Sequence, residues 1–435
     1  MCATTEGATS RSPWNRTARA LLAVLLLAGP AAAPGGDRAS AQGAAFPQGV
    51  AAGDATHQAA VVWTRTGGPA SLQVDIATDA AFAGARTVPA PPASAESDYT
   101  VKVDLTGLQP ARRYHYRFVS GQGRSPAGTF ITAPAVTADA PVTLIWGGDT
   151  SEEFKPFRVF AGMKGRNADL FLYLGDTIYS DFGSFRAMTL EQYRQKYQIN
   201  RADSALRDYL TTVATWVIWD DHEVENNFDS EHIRVETGLR AFREYWPIRP
   251  APESPGRLYR SFRWGRTAEF FILDTRQYRS PTFRLDGPEK TMLGRAQKQW
   301  LLDGLARSDA AVKVIVSSVP LRFHSPDSWE GYAFERDEIL RVIAQRRIRT
   351  VLVLAADVHY AALLRHPEGV YEAISGPLAA ILSRRPRVEG RPETQWAFAG
   401  RFNYGWARIT RREIVLEWRD DQDALLHRAR LPVQN

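Results

Sequence analysis

Apolar runs in this chain repeatedly end on carboxylates, and that ending restricts the architectures open to it. TLIWGGD reaches Asp149, LFLYLGD reaches Asp176, WVIWDDH reaches Asp220, Asp221 and His222, and VLVLAADVH reaches Asp357 and His359. Uninterrupted apolar runs are strands buried on both faces, the texture of layered α/β folds. In such sheets ligands bind in the crevice beyond the carboxyl ends of the strands. One Asp there is ordinary turn or helix-cap chemistry. Several strands bringing carboxylate and imidazole to one edge are a different matter, because unneutralised carboxylates in one cleft raise one another's pKa. Bound cations remove the conflict.

Oxygen-rich ligands with one or two imidazoles suit hard or borderline cations such as calcium, manganese and iron. Tyr179, three residues past Asp176, adds a phenol, whose phenolate iron(III) accepts; the competing reading is a core tyrosine at a strand end. Two cations about 3.5–4 Å apart share a bridging carboxylate and stabilise the entering and leaving oxygens of phosphoryl transfer. Asp176, central among these carboxylates, is the natural bridge. His222 follows directly on a ligand candidate and is placed to meet a phosphate or protonate a leaving oxygen. Asn227 offers an amide to the same edge. Arg276, just past the end of EFFILD, is either a bidentate phosphate contact or an ion-pair residue bracing the cleft.

The rest of the chain divides at residues 133–141, APAVTADAP, a small-residue linker. Before it, from residue 46 to 134, short alternating strands between Gly, Pro and Asp turns predict a β-sandwich, with LTGLQPARRYHYRF similar to a fibronectin type III-like module. After it, from 140 to 435, apolar strands alternate with helical segments such as GRAQKQWLLDGLA and RDEILRVIAQRR. Residues 384–402 read as a basic connecting loop.

At the N-terminus Arg11, Arg16 and Arg19 precede ALLAVLLLAGPAAA and then Ala39-Ser40-Ala41, the pattern of a cleaved export signal over residues 1–41. The run is broken by Gly29-Pro30 and is too short for a stable membrane anchor. Cys2, the single cysteine, falls in this segment, so the mature chain has none for disulfides, thiolate catalysis or cysteine-ligated zinc. Removing Arg11, Arg16, Arg19 and Arg38 with Glu6 and Asp37 lowers the net charge from +6 to +4, a mild balance that points to no nucleic acid partner.

GDTIYSD, IWDDHEVENNF, LDTRQYR, MLGRAQKQWL, SSVPL, DSWEGY and AADVHYA, in this order, resemble the alkaline phosphatase D (PhoD) family of calcineurin-like metallophosphoesterases. The resemblance covers nearly all of the mature chain and implies a four-layer αββα catalytic sandwich behind an N-terminal β-sandwich. It implies metal ligation by Asp149, Asp176, Tyr179, Asp221, Asp357 and His359, and places Asp221-His222-Glu223 where related enzymes have Asn-His-Glu. It further implies calcium with iron(III), and hydrolysis of phosphate mono- or diesters without a covalent enzyme intermediate. Many members carry a cysteine ligand near Asp149; this chain offers a carboxylate, which leaves manganese or another divalent pair open.

Three alternatives follow from the same residues. One is a phosphodiesterase or phospholipase D-type activity at the same centre. Another is a hydroxyl nucleophile, Thr150 or Ser151. The last is a catalytically silent surface-binding protein built on the sandwich. His324, after SSVPLRF, is a candidate pocket residue.

Overall fold

The computed structural model describes residues 45–434 except 122 and 324. The segment 1–41 read as an export signal, with Cys2 in it, and His324 therefore lie outside the described residues. Two sheets meet at the centre of the fold. One has nine strands, and its middle is the parallel trio Val142–Gly147, Leu170–Leu174 and Ala214–Ile218. The other has seven, centred on the parallel set Ala268–Ile272, Val312–Val316, Val351–Ala355 and Tyr371–Ile374.

Alternation along the second sheet explains the layering. Phe270, Ile272, Val314 and Val316 face the first sheet across a core that also holds Leu144, Leu172 and Val217. Their neighbours Phe271, Ile315 and Val353 face Leu301, Leu305 and Ile339 on the helices Gly294–Arg307 and Ala333–Gln345. The first sheet is covered on its other side by Val159–Lys164, Leu190–Arg201 and Ser204–Leu210, through Phe160, Tyr193 and Leu206. Both faces of the central strands are thus buried, which is why they read as unbroken apolar runs.

The N-terminal segment is a sandwich, but one of its two sheets is shared. Leu72–Ala77, Arg86–Pro89, Arg113–Ser120, Gly123–Arg124 and Gly128–Ile131 form a five-stranded sheet. The opposing strands, Val50–Gly53, Ala60–Arg65 and Thr100–Leu105, continue the nine-stranded sheet, with Val50–Gly53 pairing parallel to Ala214–Ile218. Val62, Val103, Val74, Tyr116 and Phe118 fill the space between. Asp54 fastens this seam: its carboxylate accepts from Arg260 Nη2 at 2.8 Å, and the same nitrogen reaches the carbonyl of Val217 at 2.9 Å.

At its other edge the nine-stranded sheet carries the antiparallel strands Asn403–Ile409, Glu413–Asp420 and Leu425–Pro432. The stretch 384–402 is not wholly loop, because Thr394–Phe398 forms the edge strand of the second sheet. Its burial is partial throughout, so no clean apolar alternation marks it.

Candidate metal centre

Every parallel strand of the two central sheets points its carboxyl end toward the same side, and the site is assembled there. Three groups of potential ligand atoms lie within 4.8 Å of one another: Asp149, Asp176 and His359; Asp176, Asp221 and His222; and Asp220, Asp221 and Asp357. Asp176 belongs to the first two groups and Asp221 to the last two. Tyr179 adjoins the first, its hydroxyl 3.1 Å from His359 Nε2.

The backbone is bent at the residues that supply these side chains. Asp149, Asp176, Asp357 and His359 have φ of 69°, 49°, 70° and 59°. The left-handed region is uncommon for residues other than glycine, and such positions cluster at functional sites. It lets each chain reverse abruptly at the strand end and aim its side chain back over the sheet edge. Glycines make room for this. A Cβ on Gly175 (φ 91°) would lie 2.5 Å from Asp220 Cβ, and one on Gly376 (φ 138°) would lie 2.6 Å from Asp149 Oδ2.

Glu223 ties two of the strand ends together. It is fully buried and accepts from the amides of Asp176 (3.0 Å), Thr177 (2.6 Å) and Asp220 (2.8 Å), and from the Thr177 hydroxyl (2.6 Å). The amide of His222 in turn donates to Asp176 Oδ1 at 3.2 Å.

Electrostatically the cluster wants a cation. Burial, then the charges of Asp221, Asp220 and Asp149, push the Asp176 carboxyl well above the ordinary range; burial and Asp220 do the same to Asp149. Asp149 Oδ2 and Asp221 Oδ1 are buried without a hydrogen-bond partner among the described residues. Buried carboxylate oxygens are normally satisfied; Asp149 Oδ2 has no hydrogen bond, and Asp221 Oδ1 meets only Arg276 Nη2 at 3.6 Å, beyond hydrogen-bond distance, so both are available as ligand atoms. Against the penalty of burial, Arg276 and His222 keep Asp221 ionised, with its pKa below the usual carboxylate range. The donor set is oxygen with imidazole and no sulfur, which fits hard or borderline cations.

His222 has a defined orientation. Its Nδ1 donates to Asp181 Oδ1 at 2.7 Å, and its ring stacks on Tyr179 with centroids 4.1 Å apart. Burial opposes charge on the imidazole, yet Asp221 and Asp181 outweigh it and raise the pKa to about 9.

Residues 145–383 match the family model for PhoD-like phosphatases, and residues 30–134 match that for the PhoD-like phosphatase N-terminal domain. The chain belongs to the PhoD-like phosphatase family. Alkaline phosphatase D of Bacillus subtilis (strain 168) is 30% identical over 374 residues. That match covers 72% of this chain and 64% of the relative, so it spans a little under two thirds of the relative's length. A solved structure of PhoD superposes with a TM-score of 0.80 at 24% identity, covering 89% of each chain. The purple acid phosphatase PPD1 from yellow lupin (Lupinus luteus) seeds gives 0.64 at 15% identity, covering 88% of this chain and 73% of the other. At these identities the two structures bear on fold, and they agree with the layered α/β architecture.

Within this PhoD-like site two readings that the sequence left open are narrowed by the geometry. Arg276 is not presented to a ligand. It is fully buried; Nε and Nη2 grip Asp220 at 2.6 and 3.0 Å, and Nη1 and Nη2 grip Asp327 at 2.8 Å each. It braces the floor of the cleft. Thr150 turns its hydroxyl into the core, bonded to the Tyr173 hydroxyl, and Ser151 caps the amide of Glu153, so neither is set up as a nucleophile. Asn227 stays at the site: its amide N–H donates to Asp221 Oδ2 at 2.7 Å, and its side chain in the amide orientation that satisfies both ends donates to Asp327.

Sequence reasoning passed over three residues. Asp181 orients His222, and lies inside the quoted GDTIYSD. Asp327 is the second anion on Arg276 and also accepts from Arg279 at 2.6 Å. Glu223 was placed in a motif but given no role. Asp181 and Asp327 were both legible in principle, as carboxylates in the motifs GDTIYSD and DSWEGY, although Asp327 follows no strand-end pattern.

Proposed function

We propose that this PhoD-like chain is an exported, metal-dependent phosphoric ester hydrolase, an alkaline phosphatase with phosphodiesterase capacity. The observation that carries the reading is the pair of buried carboxylate oxygens without a hydrogen bond, Asp149 Oδ2 and Asp221 Oδ1, the second with only Arg276 Nη2 near it at 3.6 Å, within a cluster of acids and imidazoles. Asp149, Asp176, Tyr179 and His359 would hold one cation, and Asp176, Asp221 and Asp357 a second, with Asp176 common to both. Calcium with iron(III) is the family's pair, and manganese suits the same oxygen donors. When bound, two such cations lower the pKa of water and neutralise phosphoryl oxygens.

The chain's own residues do the rest. With Nδ1 fixed on Asp181, His222 turns Nε2 toward the cluster, and its raised pKa keeps a proton there for the departing ester oxygen. Tyr179, stacked on that ring, prevents it from rotating away. Asn227 holds Asp221 by its amide and keeps the carboxylate aimed. The substrate is a phosphate mono- or diester.

The division of the mature chain into a sandwich over 46–134 and a catalytic part over 140–435, behind a cleaved segment 1–41, belongs to the same proposal. Mass spectrometry of the exported protein locates its first residue.

Elemental analysis on protein purified without chelator, with hydrolysis of a chromogenic monoester and its diester counterpart, tests the function. Two metal equivalents and activity lost on chelation are expected. Metal-free protein that retains turnover would sink the reading.

A further inference from the structure

Large apolar side chains left in water are distributed unevenly over this molecule. Ten are exposed among the described residues, and only Val136 and Leu425 lie away from the catalytic edge. The others sit in segments that leave the carboxyl ends of parallel strands. Phe182 and Met188 follow Leu170–Leu174, and Ile233 follows Ala214–Ile218. Phe283 and Leu285 follow Ala268–Ile272, and Phe334 opens the helix after Val312–Val316. Ile381 and Leu382 follow Tyr371–Ile374. Ile233, Phe283 and Leu285 are 91%, 83% and 92% exposed, far beyond what incidental surface apolar residues require.

These segments are held in place around the metal centre. Phe182 lies edge-on to His222 with centroids 5.4 Å apart, and Lys196 fixes its carbonyl. Arg284 binds Glu231 at 2.6 Å, joining the segment with Phe283 and Leu285 to the one with Ile233. The Ser230 hydroxyl anchors that second segment on the carbonyl of Arg279 at 2.8 Å. Asp286 accepts from the amide of Phe334 at 2.9 Å. The amide of Ser383 bonds the carbonyl of His359 at 3.2 Å, which sets Ile381 and Leu382 beside the cluster. Immediately after them come the exposed Arg384 and Arg385.

We infer that this rim docks the enzyme, cleft downward, on an anionic phospholipid surface. Exposed apolar tips interleaved with arginine are the composition of an interfacial membrane contact, in which side chains enter the headgroup and acyl boundary while cations pair with lipid phosphates. Exposed apolar side chains concentrated at one edge of a stable protein mark an interaction site, and these lie in segments that leave the same strand ends as the acid and imidazole cluster. The contact is reversible and needs no spanning helix; no described helix is long and apolar enough to cross a membrane. Its link to turnover rests on the hydrolase reading above, whereas the docking itself does not.

The test is co-sedimentation of the metal-loaded, exported protein with vesicles of phosphatidylglycerol and phosphatidylcholine, and with phosphatidylcholine alone. Turnover of a soluble chromogenic diester is followed in the same preparations. Binding to the anionic vesicles is expected, reduced ~10-fold or more in Phe283→Ser/Leu285→Ser and in Ile233→Ser, and several-fold in Arg384→Ala/Arg385→Ala. Soluble-diester turnover should be unchanged in all three. Absence of vesicle binding by the parent protein overturns the proposal, as does equal binding by the serine variants. Binding that soluble polyphosphate displaces and the serine variants retain would assign the rim to an anionic polymer instead. Loss of diester turnover in the parent protein would strike the hydrolase reading and leave the vesicle result to stand separately.

Discussion

Asp220 and Asp221 are neighbours in sequence and belong to opposite chemical regimes. Asp220 sits on the floor of the cleft, where Arg276 grips both its oxygens and the Ser318 hydroxyl donates at 2.6 Å. Asp327 completes that floor with Arg276 and Arg279. One layer above, Asp149, Asp176, Asp221 and Asp357 converge with no arginine among them, and only the outer nitrogen of Arg276 approaches, 3.6 Å from Asp221 Oδ1. The protein supplies its own countercharge below and leaves it to be imported above. A carboxylate cluster is therefore identified as a metal centre by where the arginines stop, and the count of acids alone does not decide it.

This contrast can be broken from either side. Removing the shared ligand has the largest effect: Asp176→Ala should lower turnover by on the order of 10³-fold and deplete bound metal, read by steady-state rates and elemental analysis on one preparation. Full metal content in that variant would dissolve the distinction between the layers. On the floor, Arg276→Met leaves Asp220 and Asp327 buried without a cation and should cost about 3–5 kcal/mol of stability, seen by chemical denaturation. A loss below 1 kcal/mol would mean that the floor does not depend on its arginine.

Chelation probes the upper layer alone. Stripping the metals should destabilise the parent protein by about 4 kcal/mol where free metal had exceeded Kd a thousandfold, and should leave the stability of Asp176→Ala nearly unchanged. In the stripped protein the sign reverses for individual acids. Burial and Asp220 raise the pKa of Asp149 above its unfolded value of 3.8, so the native state holds that proton more tightly and stability falls as pH climbs past the unfolded value. Asp149→Asn should flatten that slope and raise stability at neutral pH, measurable as Tm against pH in chelator.

The smallest effect is a displacement along the pH axis. The pKa of about 9 at His222 lies above its unfolded 6.5, so the imidazolium's stabilising contribution is fully present below 6.5 and disappears through about 9. Asp181→Asn removes one of the anions responsible, and the alkaline limb of kcat/KM should move to lower pH by roughly 1 unit. An unmoved limb would take His222 out of proton transfer.

The strand-end carboxylates were legible because burial on both faces writes them as apolar runs with an abrupt polar stop. The division between Asp220 and Asp221 was not, because both follow the same run and the deciding cation, Arg276, lies 56 residues away from Asp220. The left-handed bends at Asp149, Asp176, Asp357 and His359 leave no local mark either, since aspartate in a turn is common in any conformation. The strands Asn403–Ile409 and Glu413–Asp420, NYGWARI and EIVLEWRD, keep no strict alternation of apolar and polar residues and follow no carboxylate ending, so neither pattern marks them. The N-terminal sandwich was recognised, but sequence patterns carry no account of which sheet a strand joins.

That shared sheet governs the order in which the chain can be completed. Ala52 is in register with Ala214 on one side and with Val62 on the other, so one edge of this early strand pairs locally while its other edge waits for a partner ~160 residues further along. Pairings of such high contact order form slowly and leave unpaired strand edges exposed in the meantime. The consequence falls on biogenesis: a chain truncated anywhere before the strand Ala214–Ile218 leaves the Val50–Gly53 edge unpaired, so the amino-terminal module is not a self-contained cassette.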